Sequence, residues 1–121
     1  MLECLFVGAG GFLGSVLRYL ISLIPVPDSG FPYVTLLVNV AGSLAIGVLA
    51  GLASRSGVLN DHLGLFLKVG FCGGFTTFST FALETHGFFA KGSVPMALGY
   101  TIISVVLCVL AVFLGGSLIK L

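Results

Sequence analysis

Residues 71–81 read FCGGFTTFSTF, two adjacent glycines followed by four hydroxyl side chains among phenyl rings, in a stretch with no charge between Lys68 and Glu84. Each glycine weakens a helix interior by about 1 kcal/mol relative to alanine. In hydrocarbon, non-helical backbone persists only where protein buries it or water wets it. The stretch is therefore expected to be a membrane span broken near its middle, over about 73–77. A broken span frees carbonyls on one half and amides on the other, an arrangement that holds ions at the bilayer centre. A continuous helix with small residues on a packing face is the plainer alternative.

The rest of the chain supports a membrane setting. Of its 121 residues 58% are hydrophobic and 18 are glycine, while 7% are charged, against roughly 25% in a soluble domain. Such a composition excludes a soluble globular domain, and it excludes disorder, which needs low hydrophobicity and high charge. The hydropathy predicts four helices in a single transmembrane domain over 1–121, at about 4–24, 33–54, 63–88 and 93–119. The first lacks the basic leader of a signal peptide, Glu3 being its only early charge, and reads as a retained span. PVPDSGFP at 25–32 is a turn, and RSGVLNDH at 55–62 a polar loop. A net charge of +1 offers no basic footprint for nucleic acid. Cys4, Cys72 and Cys108 lie in apolar surroundings without metal-ligand spacing, and His62 and His86 stand apart from them.

Basic residues do not choose a side. With four spans, Arg55, Lys120 and a late-starting Lys68 share the face of the termini, against Lys91 and Arg18 on the other. Orientation follows an excess of Lys and Arg, so a chain without one is expected to insert both ways. The simplest closed assembly is then an antiparallel, dual-topology homodimer. Gly10 with Gly14 and Gly47 with Gly51 are small-xxx-small pairs that allow close helix approach.

Polar residues recur at helical spacing. Thr35, Asn39 and Ser43 share one face of the second span, and Tyr100, Ser104 and Cys108 one face of the fourth. Thr77, Thr80 and Glu84 lie close to the side of Phe78 and Phe81. Such groups must face protein or water; they either glue helices together or line a path. A path of hydroxyls, an amide NH2 and positive ring edges, with Glu84 its one deep acid, suits a small anion better than a cation.

GGFLGSVLRY (10–19), TLLVNVAGSLAIG (35–47) and GFCGGFTTFSTFALE (70–84) closely resemble the Fluc, or CrcB-like, small fluoride channels, over all four spans. The resemblance implies an all-α membrane protein, an antiparallel homodimer with two pores that exports fluoride passively across the cell membrane and relieves fluoride toxicity. It implies a central structural sodium ion held by main-chain carbonyls of Gly73 and Thr76 from both subunits. By motif position it makes Asn39 an amide donor in the fluoride pathway and Phe78 with Phe81 the aromatic lining. Ser79 and Thr80 add hydroxyls; Thr35, Tyr100 and Ser104 continue the polar track. Glu84 is the acidic residue at the pore, and Arg18 shapes the vestibule or packing. Cys108 stands where a hydroxyl residue is expected, which weakens the last station of the track.

Two other readings stay open. A small dual-topology proton-coupled transporter needs a carboxylate inside an early span, which this chain lacks. A non-transporting membrane scaffold would use the stripes as glue alone. No Ser/His/Asp set or paired carboxylates point to an enzyme.

Overall fold

The computed structural model describes residues 1–57 and 59–120, with Ser56 described by its backbone alone. Val58, in the expected 55–62 loop, and Leu121, at the end of the expected domain, lie outside the described residues. All regular structure among the described residues is helical: α1 (Leu2–Ser22), α2 (Tyr33–Ser56), α3 (Asp61–Gly64), a π-helical segment (Leu65–Cys72), α4 (Gly73–Phe75), α5 (Phe78–Ala90) and α6 (Val94–Lys120). Four stretches are long and apolar enough to cross a membrane: Leu2–Ser22, Tyr33–Arg55, Asp61–Ala90 and Val94–Lys120. The chain is a multi-pass membrane protein whose third span, α3 to α5, is interrupted once.

Local chemistry sets the ends. The α1 ladder closes with Leu23 and Ile24 bonding back to Leu20 and Ile21, because Pro25 disfavours helical backbone at the residue before it. Gly57 ends α2 at φ 55°, a conformation open to glycine without Cβ strain. At the start of α3 the Asn60 side-chain oxygen accepts from Leu63 N at 2.7 Å, an N-cap that supplies one orphan amide with a partner.

The spans pack as two parallel pairs, and glycine decides which helices pair. A Cβ on Gly10 would meet the Phe66 carbonyl and the Phe71 nitrogen, and one on Gly14 the Phe71 carbonyl and the Phe75 nitrogen. From the other side, Gly70 faces the Val7 carbonyl and Gly74 the Gly11 carbonyl. Backbone therefore lies on backbone along α1 and the first half of the third span. In the second pair, Gly47 rests on the Val112 carbonyl, Gly115 on Leu44 and Val48, and Gly51 beside Ile119. The Arg55 guanidinium donates to the Ile119 carbonyl at the end of this pair. Both small-xxx-small pairs of the sequence thus join helices within one chain.

The break lies beyond the glycines. Gly73 is helical at φ −63°, ψ −40°, whereas Thr76 (φ −86°, ψ 157°) and Thr77 (φ −149°, ψ 113°) are extended. Gly74 is small because Gly11 and Ser15 press on it, a packing requirement that helix propensity does not report. Gly14→Ala is expected to cost about 1–3 kcal/mol by overpacking, whereas Gly8→Ala, with nothing within 4 Å of its Cβ, should leave stability unchanged or raise it by up to about 1 kcal/mol. Thermal unfolding of the two variants in detergent checks the order.

Candidate functional site

Two extended residues in mid-membrane leave peptide groups that lipid does not satisfy. Asn39, on α2, meets Thr77 at both ends of its carboxamide. Its Nδ2 donates to the Thr77 carbonyl at 3.1 Å and its Oδ1 accepts from Thr77 N at 2.8 Å. The amide thus imitates a neighbouring strand. Thr77 in turn caps α5, its Oγ1 accepting from Thr80 N at 3.2 Å. The same hydroxyl lies 3.1 Å from Thr80 Oγ1 and 3.3 Å from Ser79 Oγ.

The carbonyls before the break divide into two groups. The Cys72 oxygen accepts from Thr76 N at 3.0 Å and from Thr76 Oγ1 at 2.8 Å. The Gly74 oxygen accepts from Arg18 Nε at 3.1 Å, with Ser15 Oγ 3.5 Å away. Among the described residues, the Gly73 and Thr76 carbonyls receive no hydrogen bond, since Thr77 N has turned to Asn39. Gly73 is exposed, with open space where a Cβ would stand.

Two cavities flank the break. The first, about 360 Å³, is lined by Asn39, Ser43, Phe78, Phe81, Ser104 and Cys108, with Lys68, Cys72, Gly73, Thr76 and Thr77 on its walls. Ser104 is buried here at 7% exposure, and its hydroxyl has no hydrogen-bond partner among the described residues. The second, about 470 Å³, opens between the 26–32 turn and the end of α5, and takes in Asp28, Phe31, Glu84, Phe88 and Lys91.

A tight polar and aromatic layer separates them. Thr35 Oγ1 donates to Glu84 Oε2 at 3.1 Å, and Tyr100 OH donates to Glu84 Oε1 at 3.2 Å. Tyr100 is fully buried. Phe81 packs on it at 5.1 Å between ring centroids, while Phe31 and Phe88 present edges at 5.5 Å and 6.1 Å. Phe81 and Glu84 are about one helical turn apart, so α5 alone carries a side chain into each cavity.

The expected site residues thus fall into three places. Asn39, Phe78, Phe81 and Ser104 line the first cavity, with Cys108 beside them; Thr35, Glu84 and Tyr100 form the layer. Ser79 and Thr80 cluster around Thr77 and line neither cavity, and Arg18 holds the Gly74 carbonyl. Sequence reasoning did not foresee Phe31, brought onto Tyr100 by the 26–32 turn, or Lys68 on the cavity wall. The only signal for Lys68 was its charge inside an apolar stretch.

Comparison with known proteins shows the family. A family model described as CrcB-like protein, Camphor Resistance (CrcB), matches residues 5–116. A fluoride-specific ion channel FluC from Chlorobaculum tepidum is 44% identical over 122 residues, covering 100% of this chain and 97% of its own. Proteins of the same name from Caulobacter sp. and Ruminiclostridium cellulolyticum are 46% identical over 118 residues and 42% over 122. They cover 95% and 99% of this chain, and 92% and 94% of their own.

Replacing Asn39 with leucine strands the N–H of Thr77, worth about 1–3 kcal/mol when left unpaired, while the Thr77 carbonyl, at the N-cap of α5, keeps its helical partner. Asn39→Leu should therefore lower stability in detergent by roughly 1–3 kcal/mol, more than Ser79→Ala, which removes one exposed hydroxyl. Equal unfolding midpoints for the two would remove the clamp role.

Proposed function

The chain belongs to the CrcB-like family, and from that membership and the cavity geometry we propose that it is a fluoride channel, not an enzyme, exporting fluoride passively across the cell membrane. The observation that carries the reading is the first cavity: a chamber at the break of the third span, lined by neutral donors and phenyl edges beside the Lys68 cation.

Fluoride is small, strongly hydrated and a strong acceptor, so it moves only if each lost water is replaced. The Asn39 NH2 has two hydrogens; one is donated to Thr77 and the other is left for an anion. The Ser104 hydroxyl, buried without a partner, is a second donor. Phe78 and Phe81, 5.5 Å apart and tilted by 52°, offer ring edges whose hydrogens carry partial positive charge. Beyond Phe81 the anion reaches the Thr35–Glu84–Tyr100 layer. There both hydroxyls already donate to the carboxylate, so fluoride must compete with Glu84 for them. The close Phe81–Tyr100 contact leaves little width, which disfavours larger halides. Several weak stations permit exit as well as binding.

The reading extends to an antiparallel homodimer with two pores. The isolated chain exposes 7506 Å², against about 6,200 Å² for a compact 12.5 kDa monomer. Phe78 is 78% exposed beside the open face of Gly73, which suits a second copy seated there. A structural sodium ion at that contact fits the donor set, since hard main-chain oxygens with no other partner stand at Gly73 and Thr76. When bound, sodium supplies positive charge that offsets these carbonyl dipoles and ties the two breaks together.

Purified protein in liposomes should release loaded fluoride, read by an ion-selective electrode, far faster than chloride; efflux no faster than from empty vesicles would sink the proposal. Phe81→Ile removes a ring edge and should slow fluoride at least about tenfold, the equivalent of roughly 1.4 kcal/mol on the barrier. Unchanged efflux would take Phe81 out of the path. Asn39→Asp trades donors for a negative charge and should abolish flux; normal flux there defeats the donor assignment.

A further inference from the structure

Lys68 stands seven residues after Asp61, the first residue of α3, about 10 Å along the helix, in a span whose hydrocarbon crossing is about 30 Å. A cation at that depth is costly in lipid and belongs on protein or water. In the structure Lys68 is half-buried and lines the first cavity. The other ionisable groups on that wall are the thiols of Cys72 and Cys108. Among the described residues no carboxylate pairs with it. The recorded ion pair is between the Met1 amino group and Glu3, and Glu84 is engaged by Thr35 and Tyr100. The second cavity differs, with Asp28 and Glu84 against Lys91.

We infer that Lys68 is the anion-recruiting residue of the first cavity, raising the local concentration of a small monovalent anion before it meets the neutral donors of Asn39 and Ser104. The inference rests on the channel reading above and adds to it a residue that acts by charge, not by touching the anion at the narrow layer. Low-dielectric walls focus the field of a single charge, so the ammonium is effective although the narrow part of the path holds no cation of its own. Retaining a fixed cation outside the constriction, instead of inside it, also avoids a trap that would hold the anion too tightly.

The test is initial fluoride efflux from neutral phosphatidylcholine vesicles, measured against fluoride concentration at low and high ionic strength, for wild type, Lys68→Gln and Lys68→Arg. At 0.01 M salt, where the screening length is about 30 Å, Lys68→Gln should lose about tenfold in rate at sub-saturating fluoride, the low end for charged clefts. Its saturating rate should be unchanged, and Lys68→Arg should match wild type. Near 1 M salt, where screening acts within about 3 Å, the three curves should converge. Coincident wild-type and Lys68→Gln curves at low salt overturn the inference, as does a loss in Lys68→Arg equal to that in Lys68→Gln. Should the glutamine variant fail to assemble, wild-type efflux that ignores ionic strength overturns it equally. Absence of any wild-type fluoride efflux instead strikes the channel reading itself.

Discussion

A peptide group stranded in hydrocarbon has no solvent to turn to, and the structure meets that constraint at Thr77 with one side chain. The Asn39 carboxamide pairs with both the N–H and the C=O of the same residue, using a separate atom for each. Once Thr77 is held, its own side chain caps α5, Phe78 stands exposed and Phe81 turns inward against Tyr100. The positive end of the α5 dipole then lies in the middle of the membrane. That end adds to Lys68 in making a chamber of otherwise neutral donors hospitable to an anion.

Glycine packing makes the break affordable in structural terms. Backbone contact along Gly10, Gly14, Gly70 and Gly74 brings α1 so close to the third span that Arg18 Nε reaches the Gly74 carbonyl. Hydrocarbon provides no hydrophobic force between helices, so close van der Waals contact and interhelical hydrogen bonds must hold the pairs. The two pairs are then joined by polar side chains, Asn39 at the break and Thr35 with Tyr100 on Glu84. Polar glue and the proposed polar path are therefore the same residues. The alternatives that seemed separate at the level of sequence, helix association or permeation, do not exclude each other here.

Much of this was legible because the signals are local. Charge-free runs mark spans, and GG followed by TTFST marks trouble for a helix. What was not legible depends on neighbours. Helix propensity places the weakness at Gly73–Gly74, yet both glycines stay helical, Gly74 pressed against α1 and Gly73 on the open side, and the extended residues are Thr76 and Thr77. Spacing puts Thr35, Asn39 and Ser43 on one face but does not say that Asn39 serves backbone first. Arg18 reads as a lone cation; only the third dimension shows that a carbonyl receives it. The sequence likewise carries no sign that the 26–32 turn folds Phe31 onto Tyr100.

The acid in the layer is the hardest feature to reconcile with an anion, and its geometry supplies the reason it is tolerable. Each Glu84 oxygen is occupied by a hydroxyl from a different helix, so the carboxylate both joins α2 to α6 through α5 and orients two O–H groups at one level. Without an acceptor the Thr35 hydroxyl could turn to a helix carbonyl, as Thr85, Thr101 and Ser117 do, each donating to the carbonyl four residues earlier. With Glu84 present both hydroxyls stay pointed at the layer, between the two cavities. On the proposed path, an arriving anion would replace one acceptor by another, and the hydroxyls would need no reorganisation. Repulsion between the anion and Glu84 would then keep that exchange from becoming a stable complex, and weak binding is what conduction requires.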